Sequence, residues 1–245
     1  MKHIDYLEEC LEELPEGYVF THEEFKDIPG SEEAIERYLN SLSKKGTINK
    51  LAKDKFYKPL IAVEENLSLK PYEVVKDFLF KDGKQIGYLT GFSSIAALSF
   101  DHTNPTQIEL GIAEVRNPLK RGPFKITFIK QDNPIVPAHI PYFRVLDVLR
   151  FIHKTTVVTP DEMCFYITQQ LTAFTGREHQ TLIKLAQAYN ARTRALTGAL
   201  IEKIGYVKPE VLELLKASIA GCTSFTYHIT PKNLPNAKNW KIICD

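Results

Sequence analysis

The sequence lacks long hydrophobic runs and a recognisable export segment. One of its longest apolar runs, residues 95–98, has four residues, whereas a membrane-spanning helix needs about 18. The start of the chain, Met1-Lys2-His3-Ile4-Asp5, leads into an acidic amphipathic stretch rather than the apolar segment of a signal peptide. We therefore expect a cytoplasmic protein that has no membrane-spanning helix.

Cysteine is scarce, and its spacing excludes the usual zinc motifs. The four cysteines, Cys10, Cys164, Cys222 and Cys244, are far apart in the sequence, and the seven histidines are equally dispersed. None of these residues has the close spacing of metal ligands. We expect no metal and no other cofactor, and thiols that are reduced and pack as small hydrophobic residues.

Motifs of the common enzyme classes are also missing. The sequence contains no P-loop, no G-x-S-x-G, no H-E-x-x-H and no G-x-G-x-x-G. The nearest feature is Asp101 followed by Glu114, which faintly resembles the metal-binding carboxylates of some nucleases. We interpret both acids as surface residues and expect a protein that is not an enzyme. A DNA-processing enzyme is kept as an alternative.

Net charge is almost absent, but the total conceals a strong asymmetry. The chain carries 31 lysines and arginines against 30 aspartates and glutamates, a net charge of +1. Residues 1–43 contain twelve acids and three bases, whereas residues 44–59 contain six lysines and one aspartate. A basic segment in a neutral chain points towards a polyanionic partner.

The first 60 residues are predicted to form a winged helix-turn-helix domain. Apolar residues recur at helical spacing from Ile4 to Leu14, and Thr21 with Glu24 matches a capping box for a short helix. A third helix begins after Ser31 and ends at Gly46, and two short strands follow around a turn at Lys53-Asp54. In a winged helix the third helix enters the major groove and the hairpin, or wing, contacts the DNA backbone.

The remainder is predicted to be a connector, residues 61–70, and a larger unit, residues 71–245, in which a mixed α/β segment is followed by a helical region. Helices are expected from Pro71 to about Phe80 and from Thr90 to Leu98, and strands at 106–113 and 124–131. Five helices then follow Pro141, and two short strands come last. The predicted fold class is α+β.

Candidate DNA-binding residues lie on the third helix and on the wing. Arginine pairs well with guanine and asparagine with adenine, which makes the exposed side of the third helix a candidate for base contacts. Glu32, Glu33 and Glu36 share that side and would repel phosphates, so we place DNA more securely on the wing. The candidates are Arg37, Asn40, Ser41, Lys44, Lys45, Lys50, Lys53, Lys55 and Lys58.

A second basic stretch runs through residues 116–125 without an acid and surrounds a Gly-Pro turn. Its basic residues are Arg116, Lys120, Arg121 and Lys125. The stretch is a second DNA contact, a partner surface or a solvated hairpin, and the sequence leaves these alternatives open.

Three blocks of the chain resemble the AbiEi family of antitoxins from type IV toxin–antitoxin systems. The first comprises residues 14–20 (Leu-Pro-Glu-Gly-Tyr-Val-Phe), 42–48 and 56–59, and is similar to the winged-helix front of that family. The second is residues 86–91 (Ile-Gly-Tyr-Leu-Thr-Gly). The third and most specific is residues 189–200 (Tyr-Asn-Ala-Arg-Thr-Arg-Ala-Leu-Thr-Gly-Ala-Leu).

The resemblance implies an antitoxin that neutralises a nucleotidyltransferase-type toxin without a stable complex, and that binds DNA at its own promoter as a repressor. Arg192 and Arg194 of the third block are candidate antitoxin-surface residues. They point about 200° apart on a helix, and we expect the stem of Arg192 to pack and Arg194 to be freer. A stand-alone winged-helix regulator without a toxin partner is the alternative.

Overall fold

The structure, a computed structural model, describes residues 2–60, 69–91, 106–154 and 158–245. It is a mixed fold of helices and strands, as the α+β class predicts. Within the described ranges, every helix is too short or too polar to cross a bilayer. The helix that was expected from Thr90 to Leu98 lies almost entirely outside the described residues, and Thr90 itself ends a strand.

The N-terminal 60 residues form two helices, one 3₁₀ turn and a three-stranded sheet. The helices are α1 (Lys2–Glu13) and α2 (Glu32–Lys45), and the strands are β1 (Val19–Phe20), β2 (Asn49–Ala52) and β3 (Lys55–Tyr57). The sheet order is β1-β3-β2, and both pairings are antiparallel.

Local signals account for these boundaries. The Thr21–Glu24 capping box is present, but the predicted short helix that it begins is a single 3₁₀ turn, His22–Phe25. Ser31 caps α2 by accepting a hydrogen bond from the Ala34 N–H, and Gly46 ends the helix in the left-handed conformation, as predicted. Asp54 occupies the turn between β2 and β3 with a φ of +56°.

The three-stranded sheet is covered on both faces. Phe20 and Phe56 belong to a core with the helices α1 and α2. Val19 and Leu51, whose side chains point to the other face, belong to a second core with the middle of the chain. The hairpin that was predicted as a wing is therefore accessible only at its edge and at its tip.

The middle of the chain consists of one helix, a small hairpin and a four-stranded sheet. The elements are α3 (Pro71–Leu79), β4 (Phe80–Lys81), β5 (Lys84–Gln85), β6 (Gly87–Thr90), β7 (Gln107–Ile112), β8 (Leu119–Arg121) and β9 (Phe124–Lys130). The sheet order is β6-β7-β9-β8, in which only β7 and β9 are parallel. Helix α3 packs on one face of this sheet through Val74, Val75 and Leu79.

The C-terminal part is a group of helices followed by a pair of parallel strands. Its elements are α4 (Ile140–Phe151), α5 (Pro160–Thr172), α6 (Gly176–Ala186), α7 (Ala191–Ile204), α8 (Pro209–Ile219), β10 (Phe225–Tyr227) and β11 (Ile242–Cys244). Helix α7 is central, because it contacts α4, α5, α6 and α8. Eight of its fourteen residues are buried, so it has a weak amphipathic pattern.

Candidate nucleic-acid interface

The C-terminal end of α2 presents two exposed cations. Lys44 and Lys45 occupy its last turn, next to the left-handed Gly46. Both side chains are exposed, and neither forms an ion pair within the described ranges. Because this end of a helix carries a partial negative charge, the lysines also stabilise α2.

Asn40 and Lys50 link α2 to the edge strand β2. The Lys50 ammonium donates a hydrogen bond to the Asn40 side-chain oxygen at 3.0 Å, and the Asn40 amide donates to the Glu36 carbonyl at 2.8 Å. Lys50 also lies 5.6 Å from the centre of the Phe56 ring. Asn40 must exchange these partners before it can contact a base.

Arg37 and Ser41 line a different feature. They border a mostly apolar groove between α1 and α2, whose floor includes Leu7 and Ile28. The Arg37 Nε–H donates to the Glu33 carbonyl at 3.1 Å and leaves the outer nitrogens of the guanidinium for other contacts. Three of the candidates on α2 therefore divide between two flanks, since Arg37 and Ser41 border the groove and Asn40 faces β2.

Two of the six lysines of residues 44–59 join separate parts of the chain through their ammonium groups. The Lys58 ammonium donates to the carbonyl oxygens of Glu12 and Leu14, where α1 ends. The Lys55 ammonium lies 3.2 Å from an oxygen of Asp77 on α3. Lys53, at the tip of the hairpin, is exposed and forms no ion pair within residues 2–60 or the other described ranges. Lys53 is therefore available to an external partner.

Asp77 also binds Arg121, which the sequence placed on a second basic surface. The guanidinium forms a two-pronged ion pair with the Asp77 carboxylate at 2.6 and 2.7 Å, and donates to the Val74 carbonyl. It lies 4.4 Å from the centre of the Phe78 ring, and its side chain is only 7% exposed. Arg121 is thus a buried structural residue, and we leave it out of the proposed interface.

Asp77 is held ionised by this arrangement. Burial alone would raise the pKa of the Asp77 carboxyl. Hydrogen bonds and charge attraction from Arg121 and then Lys55 outweigh burial, and they hold the pKa below its usual range. One carboxylate therefore joins the hairpin of the N-terminal unit to β8.

The two basic stretches are neighbours in space. A Cβ at Gly122, in the turn between β8 and β9, would lie 3.5 Å from the Leu51 side chain of β2. Lys120 and Lys125 pair across β8 and β9 next to this turn, and both are exposed. Arg116 is exposed as well, but its guanidinium pairs with Glu114 at 3.6 Å. Lys120 and Lys125 can thus extend a surface that begins at the hairpin.

Of the two arginines of the third resembling block, Arg192 packs as expected and Arg194 does not behave as expected. Arg194 is the more constrained, because its guanidinium donates to the carbonyls of Gln187, Tyr189 and Ser218. The expectation that Arg194 is the freer residue is wrong. Arg192 packs against the rings of Phe225 and Tyr227 and donates to the Thr226 carbonyl at 3.0 Å.

Two other residues of that block, Asn190 and Gly198, have structural roles in α7. Asn190 caps α7 by accepting a hydrogen bond from the Thr193 N–H at 2.9 Å. At Gly198 a Cβ would come within 2.1 Å of the Trp240 ring, so only glycine fits the close approach of that ring. These two residues therefore determine where α7 begins and how closely Trp240 packs against it.

A buried polar cluster around Asp147 was missed by the sequence reasoning. The carboxylate of Asp147 on α4 accepts hydrogen bonds from Tyr88, Thr90 and Tyr189, at 2.7 to 2.8 Å. Gln131 donates to both tyrosine hydroxyls. Burial raises the pKa of Asp147, because these hydrogen bonds offset only part of the loss of water. The cluster ties β6 and the residue that follows β9 to α4 and to the segment between α6 and α7.

The nuclease alternative gains nothing from the described residues. Asp101 lies outside them, and the Glu114 side chain is 79% exposed and pairs with Arg116. Within residues 2–60, 69–91, 106–154 and 158–245, no group of three or more His, Cys, Asp or Glu side chains is placed to hold a metal ion.

The chain has little measurable similarity to known proteins. No protein-family model matches it, and no curated protein sequence matches it. Among solved structures it is similar to the RV2827C protein from Mycobacterium tuberculosis, with 13% sequence identity and a TM-score of 0.49. That alignment covers 98% of this chain and 90% of the other.

Proposed function

We propose that this protein is an AbiEi-like antitoxin that counteracts a nucleotidyltransferase-type toxin and represses its own promoter through an N-terminal winged helix. The observation that carries DNA binding is the set of exposed lysines Lys44, Lys45 and Lys53 on a helix-and-hairpin unit. The observation that carries antitoxin action is the resemblance of the three sequence blocks.

The winged-helix assignment is supported by the order of the N-terminal elements. Helix α1, strand β1, a 3₁₀ turn, helix α2 and the β2–β3 hairpin follow one another, and β3 lies in the centre of their sheet. In this assignment α2 is the recognition helix and the hairpin is the wing. The acidic first turn of α2, with Glu32 and Glu33, favours contact through its C-terminal half, where Lys44 and Lys45 lie.

Phosphate contacts would supply most of the affinity. A lysine that meets a phosphate releases a condensed counterion, so binding weakens steeply with added salt. The exposed Lys44, Lys45 and Lys53 fit this role, and Lys120 and Lys125 extend it onto the neighbouring hairpin. Arg37, Ser41 and Asn40 are the proposed base contacts.

Antitoxin action is assigned to the part of the chain that follows the winged helix. In this proposal the toxin is a functional partner, and a stable complex with it is not required. Since Arg194 is committed to the fold, Arg192 is the better candidate for an antitoxin surface.

Co-expression with the toxin from the neighbouring reading frame tests the proposal. We expect growth to be rescued by the wild-type chain and by the variant in which Lys44, Lys45 and Lys53 are all alanine. Only the wild type should repress a reporter under its own promoter. A neighbouring nucleotidyltransferase whose toxicity the wild-type chain leaves unchanged would contradict antitoxin action.

A stand-alone winged-helix regulator is the second candidate. It is favoured by the placement of all proposed DNA contacts in the N-terminal unit and the adjoining hairpin, which requires no toxin. The absence of a nucleotidyltransferase-like reading frame beside the gene, together with specific binding to the upstream DNA, would support this candidate over the antitoxin.

A further inference from the structure

A basic pocket in the helical region lies apart from the residues assigned to DNA. Its volume is about 510 Å³, which is in the usual range for small-molecule sites. The end of α4, the turn that follows it, the first turn of α7 and strand β10 form its walls. The cationic and aromatic residues that line it are Arg150, Phe151, His153, Lys154, Arg192 and Phe225.

Each of the two arginines of the pocket is oriented by one hydrogen bond to a backbone carbonyl oxygen. Arg150 donates through one terminal nitrogen to the Lys130 carbonyl at 3.1 Å, and Arg192 donates likewise to the Thr226 carbonyl at 3.0 Å. A guanidinium carries five N–H donors, so each contact orients the side chain and leaves most of its capacity for a ligand. Lys154 is exposed at the rim.

Positive charge in the pocket is poorly compensated. No carboxylate lines it among the described residues. Burial, followed by repulsion from Arg192 and Lys154, holds the pKa of His153 below its usual range. The carboxyl group of Asp147 acts on Arg150 from the interior, but it is already hydrogen-bonded by Tyr88, Thr90 and Tyr189. An anion in the pocket would relieve this repulsion.

Two other features narrow the class of anion. Asn190 and Ala191 at the start of α7 line the pocket, so the positive end of this fourteen-residue helix borders it as well. The half-buried rings of Phe151 and Phe225 provide flat apolar walls beside the cations. Several charges next to a flat surface match a ligand that carries both phosphates and an aromatic ring.

We propose that this pocket binds a nucleoside polyphosphate, with its phosphates at Arg150, Lys154 and Arg192 and its base against Phe225. The cations converge on one pocket from two parts of the chain, residues 150–154 and Arg192, instead of forming a strip, which fits a free nucleotide better than a continuous strand. The site is independent of the proposed DNA contacts.

Calorimetric titration of the full chain with ATP at low salt tests the site. We expect saturable binding that Lys154→Gln and Arg192→Gln each weaken about tenfold or more, since each removes a charged contact to phosphate. Lys232→Gln removes one exposed charge elsewhere and should leave the affinity unchanged. Phe225→Ala should weaken ATP binding but not the binding of inorganic tripolyphosphate.

Lys154→Gln separates an effect on binding from an effect on folding. Because Lys154 is exposed, the thermal unfolding of this variant should match that of the wild type. The site would be refuted by the absence of saturable ATP binding, or by equal affinities in the wild type, Lys154→Gln and Arg192→Gln. Tripolyphosphate that binds as tightly as ATP would refute the base contact. A single-stranded oligonucleotide that binds more tightly than ATP and displaces it would refute the assignment to a free nucleotide.

Discussion

Lys53 and Lys55 lie two residues apart on one hairpin, yet their side chains lie in two different regions, one open to solvent and one facing α3. Lys53 occupies the tip and is exposed, whereas Lys55 faces α3 and pairs with Asp77. The same contrast separates Lys120, which is exposed on β8, from its neighbour Arg121, which is buried. Adjacent cations therefore divide into those that hold the two units together and those that are available to a polyanion.

The largest difference is expected between Arg121→Ala and Lys120→Ala. Removal of Arg121 leaves Asp77 without its main partner and vacates a buried space beside Phe78. We expect Arg121→Ala to lower the free energy of unfolding by about 3 kcal/mol, because breaking a buried ion pair is costly. Lys120→Ala should change it by less than about 0.5 kcal/mol. Urea denaturation of both variants measures the difference, and equal losses would contradict this division.

Lys58→Ala tests whether a lysine in the basic segment is purely structural. The variant loses two charge-assisted hydrogen bonds to the carbonyls at the end of α1. We expect a loss of about 2 kcal/mol in the free energy of unfolding and an unchanged salt dependence of DNA binding. Lys45→Ala is the matched control, with little change in stability and a weaker salt dependence. The reverse pattern would show that Lys58 contacts DNA.

The ion pair at Asp77 should also be visible as a pH dependence. Because the folded-state pKa of Asp77 is lowered, its contribution is fully present above the unfolded value of about 4 and disappears as the pH falls through the folded value. We expect Asp77→Asn to be less stable than the wild type near neutral pH. The difference should shrink in acid, and a constant difference from neutral to strongly acid pH would contradict the ion pair.

The smallest effect is expected at the second basic hairpin. If its turn beside Leu51 extends the DNA surface, joint replacement of Lys120 and Lys125 by alanine should reduce the logarithmic salt slope of DNA binding by about two units, one for each lysine. Stability should remain unchanged, since both side chains are exposed. An unchanged slope would confine the surface to the N-terminal unit.

Much of the fold could be predicted from local signals. The structure confirms the Ser31 and Gly46 caps and the turn at Lys53-Asp54, because capping and turn chemistry depend on adjacent residues. The single 3₁₀ turn after Thr21 shows the limit, since a capping box marks where a helix begins and not how far it runs.

The division among the cations could not be predicted in the same way. Arg121 meets Asp77 across 44 positions, and Arg194 meets the Ser218 carbonyl across 24. The pocket at Arg150 and Arg192 likewise combines distant parts of the chain. Such contacts arise from the tertiary packing of α3, α7 and β8, which neither spacing nor charge counts reveal.

The salt dependence of binding to the DNA upstream of the gene tests the central claim most directly. The triple variant with alanine at Lys44, Lys45 and Lys53 is compared with Lys55→Ala, a change on the side of the hairpin that faces α3. We predict that the triple variant lowers the logarithmic salt slope by about three units and that Lys55→Ala leaves it unchanged. A slope that is the same for the wild type and the triple variant would contradict DNA binding through these lysines.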